Sequence, residues 1–139
     1  MTTIFTDTFE VTAVNPEKKV FDKIDRLKAK ADTYDCELLI DVNSDLWKVK
    51  KDQKIVMNLA SSLTDDVDDG HYKPSDDSPL LATAEYAMHG RVYNFKREGE
   101  HNIQIDVSFG GLLMQLTGDY RHLSGIKLDE NIYCLLSRA

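Results

Sequence analysis

Cysteine is scarce in this 139-residue chain: Cys36 and Cys134 are the only two, about a hundred positions apart, and no Cys-x-x-Cys pair exists. Each lies in an apolar, strand-like run (CELLIDV and IYCLLS), where a buried free thiol packs as a small hydrophobe. No apolar run is long enough to cross a bilayer and no secretory leader is apparent. Net positive charge is missing too. A formal charge of -7 and a pI near 5.0 argue against whole-surface attraction to nucleic acid or anionic lipid. No phosphate loop, dinucleotide fingerprint or nucleophile elbow occurs, and His71, His89, His101 and His122 stand without metal-ligand spacing. The expectation is a reduced, intracellular, soluble protein without a membrane partner, in which no motif recommends catalytic residues, a metal, a cofactor or a small-molecule substrate.

What the chain has is alternation. Its length suits one domain, residues 1–139, able to bury roughly two-thirds of its unfolded surface without staples. In CELLIDV, Cys36, Leu38, Ile40 and Val42 share one face and Glu37 and Asp41 the other; in KIVMNLASS, Ile55, Met57 and Leu59 line up. NIQIDVSF separates Ile103, Ile105, Val107 and Phe109 from Asn102, Gln104, Asp106 and Ser108. EYAMHGRVYNF places Tyr86, Met88 and Val92 on one side and Ala87, Tyr93 and Phe95 on the other, as if core covers one face and a partner or loop the other. LLMQLT, NIYCLLS and the β-branched opening TIFTDTFEVTAV complete the set. Many short strands separated by turn signals read as an all-β barrel or sandwich.

One segment conflicts with this pattern. NPEKKVFDKIDRLKAKA offers Asn15 as a helix N-cap, Pro16 as a first helical residue, and Val20, Phe21, Ile24, Leu27 and Ala31 at helical spacing. By periodicity alone it is the best helix in the chain.

The stretch Ser61–Pro79, SSLTDDVDDGHYKPSDDSP, holds six aspartates. Set on a calcium-loop template from Asp65, it puts Asp69 and Gly70 correctly, but Val67 occupies a ligand position and Asp76 replaces the closing glutamate. The flanks announce no helices. Serine, glycine and proline among repelling carboxylates read instead as a mobile, solvated acidic loop over residues 63–79.

Cations gather in two places. Lys18, Lys19, Lys23, Arg26, Lys28 and Lys30 form a candidate track for a phosphate backbone, and Lys48, Lys50, Lys51 and Lys54 surround Trp47. Glu17, Asp22, Asp25 and Asp32 dilute the first cluster, which equally suits the wet face of an ordinary element.

VSFGGLLMQLTGD is the densest oddity. Paired glycines between strands mark a bulge, a kink or a close backbone approach, and apolar residues follow on both faces, as at a permanent interface. Here the sequence resembles a family: the small eighth subunit shared by the three eukaryotic nuclear RNA polymerases. The resemblance runs over nearly the whole chain and rests on IFTDTFEV, FDKIDRL, LLIDVN, DDGHYKPSDD, EYAMHGRVYNF and FGGLLMQLTGD. His89 and Phe109 stand where the family pattern has tyrosine.

The resemblance implies an OB-type antiparallel β-barrel of about eight strands carrying a long acidic loop. It implies no catalytic activity, docking on the largest subunit of nuclear RNA polymerases I, II and III, contacts with their other subunits, and residence in the nucleus, including the nucleolus. Weak, sequence-independent binding of single-stranded DNA is associated with the part matching Pro16–Leu39. The segment matching Val20–Ala29 is a barrel strand in the family, so strand replaces helix there. The candidate partner interface is Arg91, Tyr93, Gly110, Gly111, Leu112, Leu113 and Met114: glycines letting backbones approach, apolar side chains filling the partner's surface, Arg91 pairing with a carboxylate. The nucleic-acid alternative uses the six cations from Lys18 to Lys30.

Overall fold

Period-two patterning becomes a wall with an inside and an outside. The computed structural model describes residues 2–15, 23–62 and 84–139. Its strands are β1 (Thr2–Val14), β2 (Ile24–Ala31), β3 (Glu37–Asn43), β4 (Lys54–Ser62), β5 (Tyr86–Glu98), β6 (Asn102–Phe109), β7 (Leu112–Asp119) and β8 (Asn131–Arg138). A single helical turn, α1 (Tyr120–Leu123), follows β7. The strands close in the order β1-β2-β3-β7-β6-β5-β8-β4, each seam antiparallel, giving the all-β barrel expected from the sequence. Closure leaves no sheet edge along the paired seams. The acidic stretch 63–79, with its calcium-loop reading, lies outside the described residues.

Inward side chains fill the cylinder. Phe9, Leu27, Leu38, Ile40, Ile55, Met57, Leu59, Ile105, Leu116 and Ile132 are fully buried, each contributing about 1.5–3 kcal/mol of burial free energy. The mouths are plugged by connections. Trp47 and Val49, between β3 and β4, are buried at one end; Leu123 and Ile126, between β7 and β8, are buried at the other. Trp47 lies parallel to Tyr86 with ring centroids 5.8 Å apart, and its indole N–H donates to Glu85 Oε1 at 3.2 Å. The backbone N–H of Arg138 donates to the same oxygen at 2.7 Å, and these donors hold the Glu85 carboxyl below its usual range.

The segment with the best helical pattern is, over its described part, strand β2. Asp25, Leu27, Ala29 and Ala31 point inward, while Ile24, Arg26, Lys28 and Lys30 point outward. Pairing with β1 on one side and β3 on the other satisfies its backbone, which local propensity cannot match. Asn15, the cap candidate, is tied to β2. At φ +52° it closes the β1–β2 ladder: its N–H donates to Arg26 O (2.7 Å), its Oδ1 accepts from Arg26 N–H (2.9 Å), and its Nδ2 donates to Asp25 Oδ1 (3.1 Å).

A bulge between Val92 and Asn94 changes the reading of β5. Val92 opposes Val107, and after the extra residue Phe95 opposes Ile105, so Phe95 returns to the core side rather than the outer face.

Both cysteines are buried and unpaired. Burial, helped by the charges of Asp7, Asp35 and Asp119, pushes the Cys36 thiol up to about 11, and burial alone raises Cys134. Neither thiol should react with a thiol-specific chromogenic reagent at neutral pH until the chain unfolds. Prompt labelling of either in native buffer would contradict their placement inside the wall.

Candidate docking surface

The turn between β6 and β7 is built by its glycines. Phe109 pairs with Leu112, leaving Gly110 and Gly111 as a two-residue loop at φ +65° and +104°. Tight hairpin loops whose twist matches their strands demand such angles, which glycine adopts without penalty. A Cβ at either position would meet nothing within 4 Å, so the pair marks a hairpin tip rather than a close approach within this chain. The backbone approach expected of these glycines occurs at Gly90 instead, where β5 passes against Ser108 and Phe109.

Leucines after the turn divide by the pleat. Met114 is 1% exposed, with its side chain packed into the core. Leu112 is half-buried against the core, and Leu113 is 42% exposed. Register brings Leu113 towards the other interface candidates: it opposes Ser108 on β6, which opposes Arg91 on β5. Tyr93, the bulged residue of β5, is half exposed and shares a cleft with Leu113. Arg91 is exposed, with Nη2 3.4 Å from Asp129 Oδ1.

Asp41 holds this region together, although the sequence suggests only a solvated outward carboxylate. It is 5% exposed; Arg26 donates to it through Nε at 2.7 Å and Nη2 at 3.1 Å, and the Leu113 N–H donates to its Oδ2 at 3.1 Å. The β3–β7 ladder ends at Ile40 and Met114, so a side chain supplies the next rung.

The cleft, of about 220 Å³, opens on the outer wall across β2, β3, β7, β6 and β5. Leu39, Tyr93 and Leu113 form its apolar walls, with Met114 behind them. Arg26, Gln104, Asp106 and Gln115 complete it. The outward parity of Leu39 and Leu113, apolar residues facing away from a barrel core, is the sequence signal that could have found it.

The nucleic-acid set is only partly assembled. Lys18 and Lys19 lie outside the described residues. Lys23 is exposed in the turn before β2, and Lys28 and Lys30 project outward from β2. Arg26 is committed to Asp41, and Lys30 faces Glu37 across the seam. Two of the four lysines in the second cluster are paired, Lys48 with Asp25 at 2.9 Å and Lys54 with Asp32 at 3.0 Å, and Trp47 is buried and cannot stack a base. His122 stacks on Tyr34 and His89 lies beside Tyr133. Among the described residues no group of histidine, cysteine or carboxylate side chains is arranged to hold a metal ion.

Comparison with known proteins adds a consistent likeness. The family model described as RNA polymerase Rpb8 matches residues 6–138. A Caenorhabditis elegans protein named "Probable DNA-directed RNA polymerases I, II, and III subunit RPABC3" is 36% identical over 97% of this chain and 95% of its own length. The Dictyostelium discoideum "DNA-directed RNA polymerases I, II, and III subunit rpabc3" is 36% identical over 98% of this chain and 97% of its own. The Saccharomyces cerevisiae "DNA-directed RNA polymerases I, II, and III subunit RPABC3" is 34% identical, with 98% of both chains covered.

Proposed function

The chain belongs to the RNA polymerase Rpb8 family, and from that premise we propose that it is a non-catalytic structural subunit shared by nuclear DNA-directed RNA polymerases I, II and III. Its role is to support assembly of the transcribing enzyme by docking on the largest subunit, with further contacts to other subunits. Its place is the nucleus, including the nucleolus. The observation that carries the reading is a likeness spanning nearly the full length of both this chain and relatives named as shared polymerase subunits.

Support for the docking face comes from the juxtaposition of Arg91, Tyr93 and Leu113 beside the Gly110–Gly111 turn. Exposed aromatic, arginine and leucine side chains of this kind suit a protein contact. Binding of single-stranded nucleic acid is the alternative, favoured by exposed Lys23, Lys28 and Lys30 and weakened by the pairing of Arg26 with Asp41.

The test uses the full chain, tagged and captured from nuclear extract, with recovery of large polymerase subunits as the readout. Leu113→Asp combined with Arg91→Glu should lower recovery by about tenfold or more. Tyr120→Ser, in α1 beyond the far end of β7, should leave it unchanged. Wild-type recovery by the double variant rejects this docking face; wild-type chain that recovers no polymerase rejects the function.

A further inference from the structure

We infer that the outer-wall cleft is an anchor site for one uncharged, apolar side chain carried by an acid-flanked extended segment of a larger polymerase subunit, an inference that rests on the docking reading above. Size is the first argument. At about 220 Å³ the cleft falls below the roughly 300–1,000 Å³ that enclose a small-molecule ligand, yet it accommodates a single large side chain. Its walls suit one: Leu39, Tyr93 and Leu113 are apolar, and the amides of Gln104 and Gln115 can serve the backbone of a peptide laid across them.

Charge is the second argument, and it selects the class of occupant. Arg26 is the cation lining the cleft, and its guanidinium is bidentate on Asp41. Asp106 accepts from Asn94 Nδ2 at 2.9 Å and from Gln104 Nε2 at 3.1 Å. A phosphate entering here would meet the Asp106 carboxylate and an arginine already committed to Asp41. A nucleotide is therefore rejected where an uncharged side chain is accepted.

Register gives the third argument. Leu39 lies directly opposite Lys28 on one side and Gln115 on the other; Gln115 in turn opposes Asp106. Lys28 is exposed and makes no ion pair among the described residues. A segment seated with its anchor over Leu39 therefore places a neighbouring residue beside an ammonium, where a carboxylate is the complement.

The experiment compares full-length variants, each captured from nuclear extract and read for large polymerase subunits. Leu39→Trp fills the cleft and should reduce recovery by about tenfold or more, with the melting temperature of the isolated chain held within about 4 °C. Lys28→Glu should reduce recovery by about threefold to tenfold at low salt, and less at high salt, as a rim charge does. Should Leu39→Trp fail to fold, Gln115→Lys tests the same volume from the neighbouring strand. Wild-type recovery by the folded cleft variant, while Leu113→Asp with Arg91→Glu still fails, overturns the anchor and leaves the docking face standing. Wild-type recovery by both overturns both. If the cleft variant instead weakens binding of an oligothymidine strand and spares polymerase recovery, the occupant is nucleic acid and the inference is wrong.

Discussion

Gly90→Val should destabilise the isolated chain by about 3 kcal/mol or more, the largest single-residue effect expected outside the filled core. Gly90 sits in the middle of β5, paired with Ile132 of β8 on one side, while its neighbour Arg91 pairs with Ser108 of β6 on the other. A Cβ there would overlap the carbonyl oxygen of Ser108 and lie 2.6 Å from Cδ1 of Phe109 and 2.8 Å from the Ser108 carbonyl carbon. Two of these obstacles are backbone, so no rotamer change relieves the clash. The strand must move, and moving it disturbs ladders to two neighbours at once. Gly90→Ala should show a smaller loss of the same sign. Urea unfolding followed by Trp47 fluorescence reads the effect directly, since this lone tryptophan is buried at the barrel mouth. A Gly90→Val chain with the wild-type midpoint would mean that β5 and β6 are not packed as described.

Asp41→Ala should cost about 2 kcal/mol and loosen the β6–β7 turn together with the fold. Its carboxylate is buried and satisfies three donors, two from Arg26 and one from the Leu113 backbone. The arginine is partly solvated, which places the effect below that of removing one partner from a fully buried pair. Asp41→Asn separates the contributions: it can still accept from the Leu113 N–H while losing the charge that holds Arg26. A double-mutant cycle with Arg26→Ala should give a coupling of about 1 kcal/mol. Hydrogen exchange at the Leu113 amide should accelerate in Asp41→Ala and much less in Asp41→Asn. Equal exchange in all three chains would show that Asp41 is not the partner of that amide.

Where one face of a strand is uniformly apolar, sequence and structure agree, because the pleat alone decides what is buried. Cys36, Leu38, Ile40 and Val42 all point inward, as do Ile105, Val107 and Phe109. β2 was hidden because two of its inward residues are alanines and a third is Asp25, a buried carboxylate held by Asn15 and Lys48. The more apolar Ile24, Leu27 and Ala31 fall at helical spacing by coincidence, and only the family resemblance pointed to a strand. Strict alternation turns Phe95 outward, because nothing in VYNF announces the one-residue bulge that reverses parity. The pleat changes sides within LLM, which puts Leu113 outside and Met114 on the core side. Position and partner also escape a linear reading at Gly90 and Gly110: both interrupt strand-like runs, but only the folded wall distinguishes a glycine under a neighbouring backbone from one at a hairpin tip.

The seam between β3 and β7 runs only from Glu37–Ile40 against Met114–Thr117, the shortest in the barrel, with Asp41 bridging the next step by its side chain. A staved cask parts first where its staves share the least length. A large neighbour lying across that joint would act as a splint, so the contact that recruits this chain would also prolong its lifetime. Copies made in excess of their host would then be the ones that open and reach the proteases first.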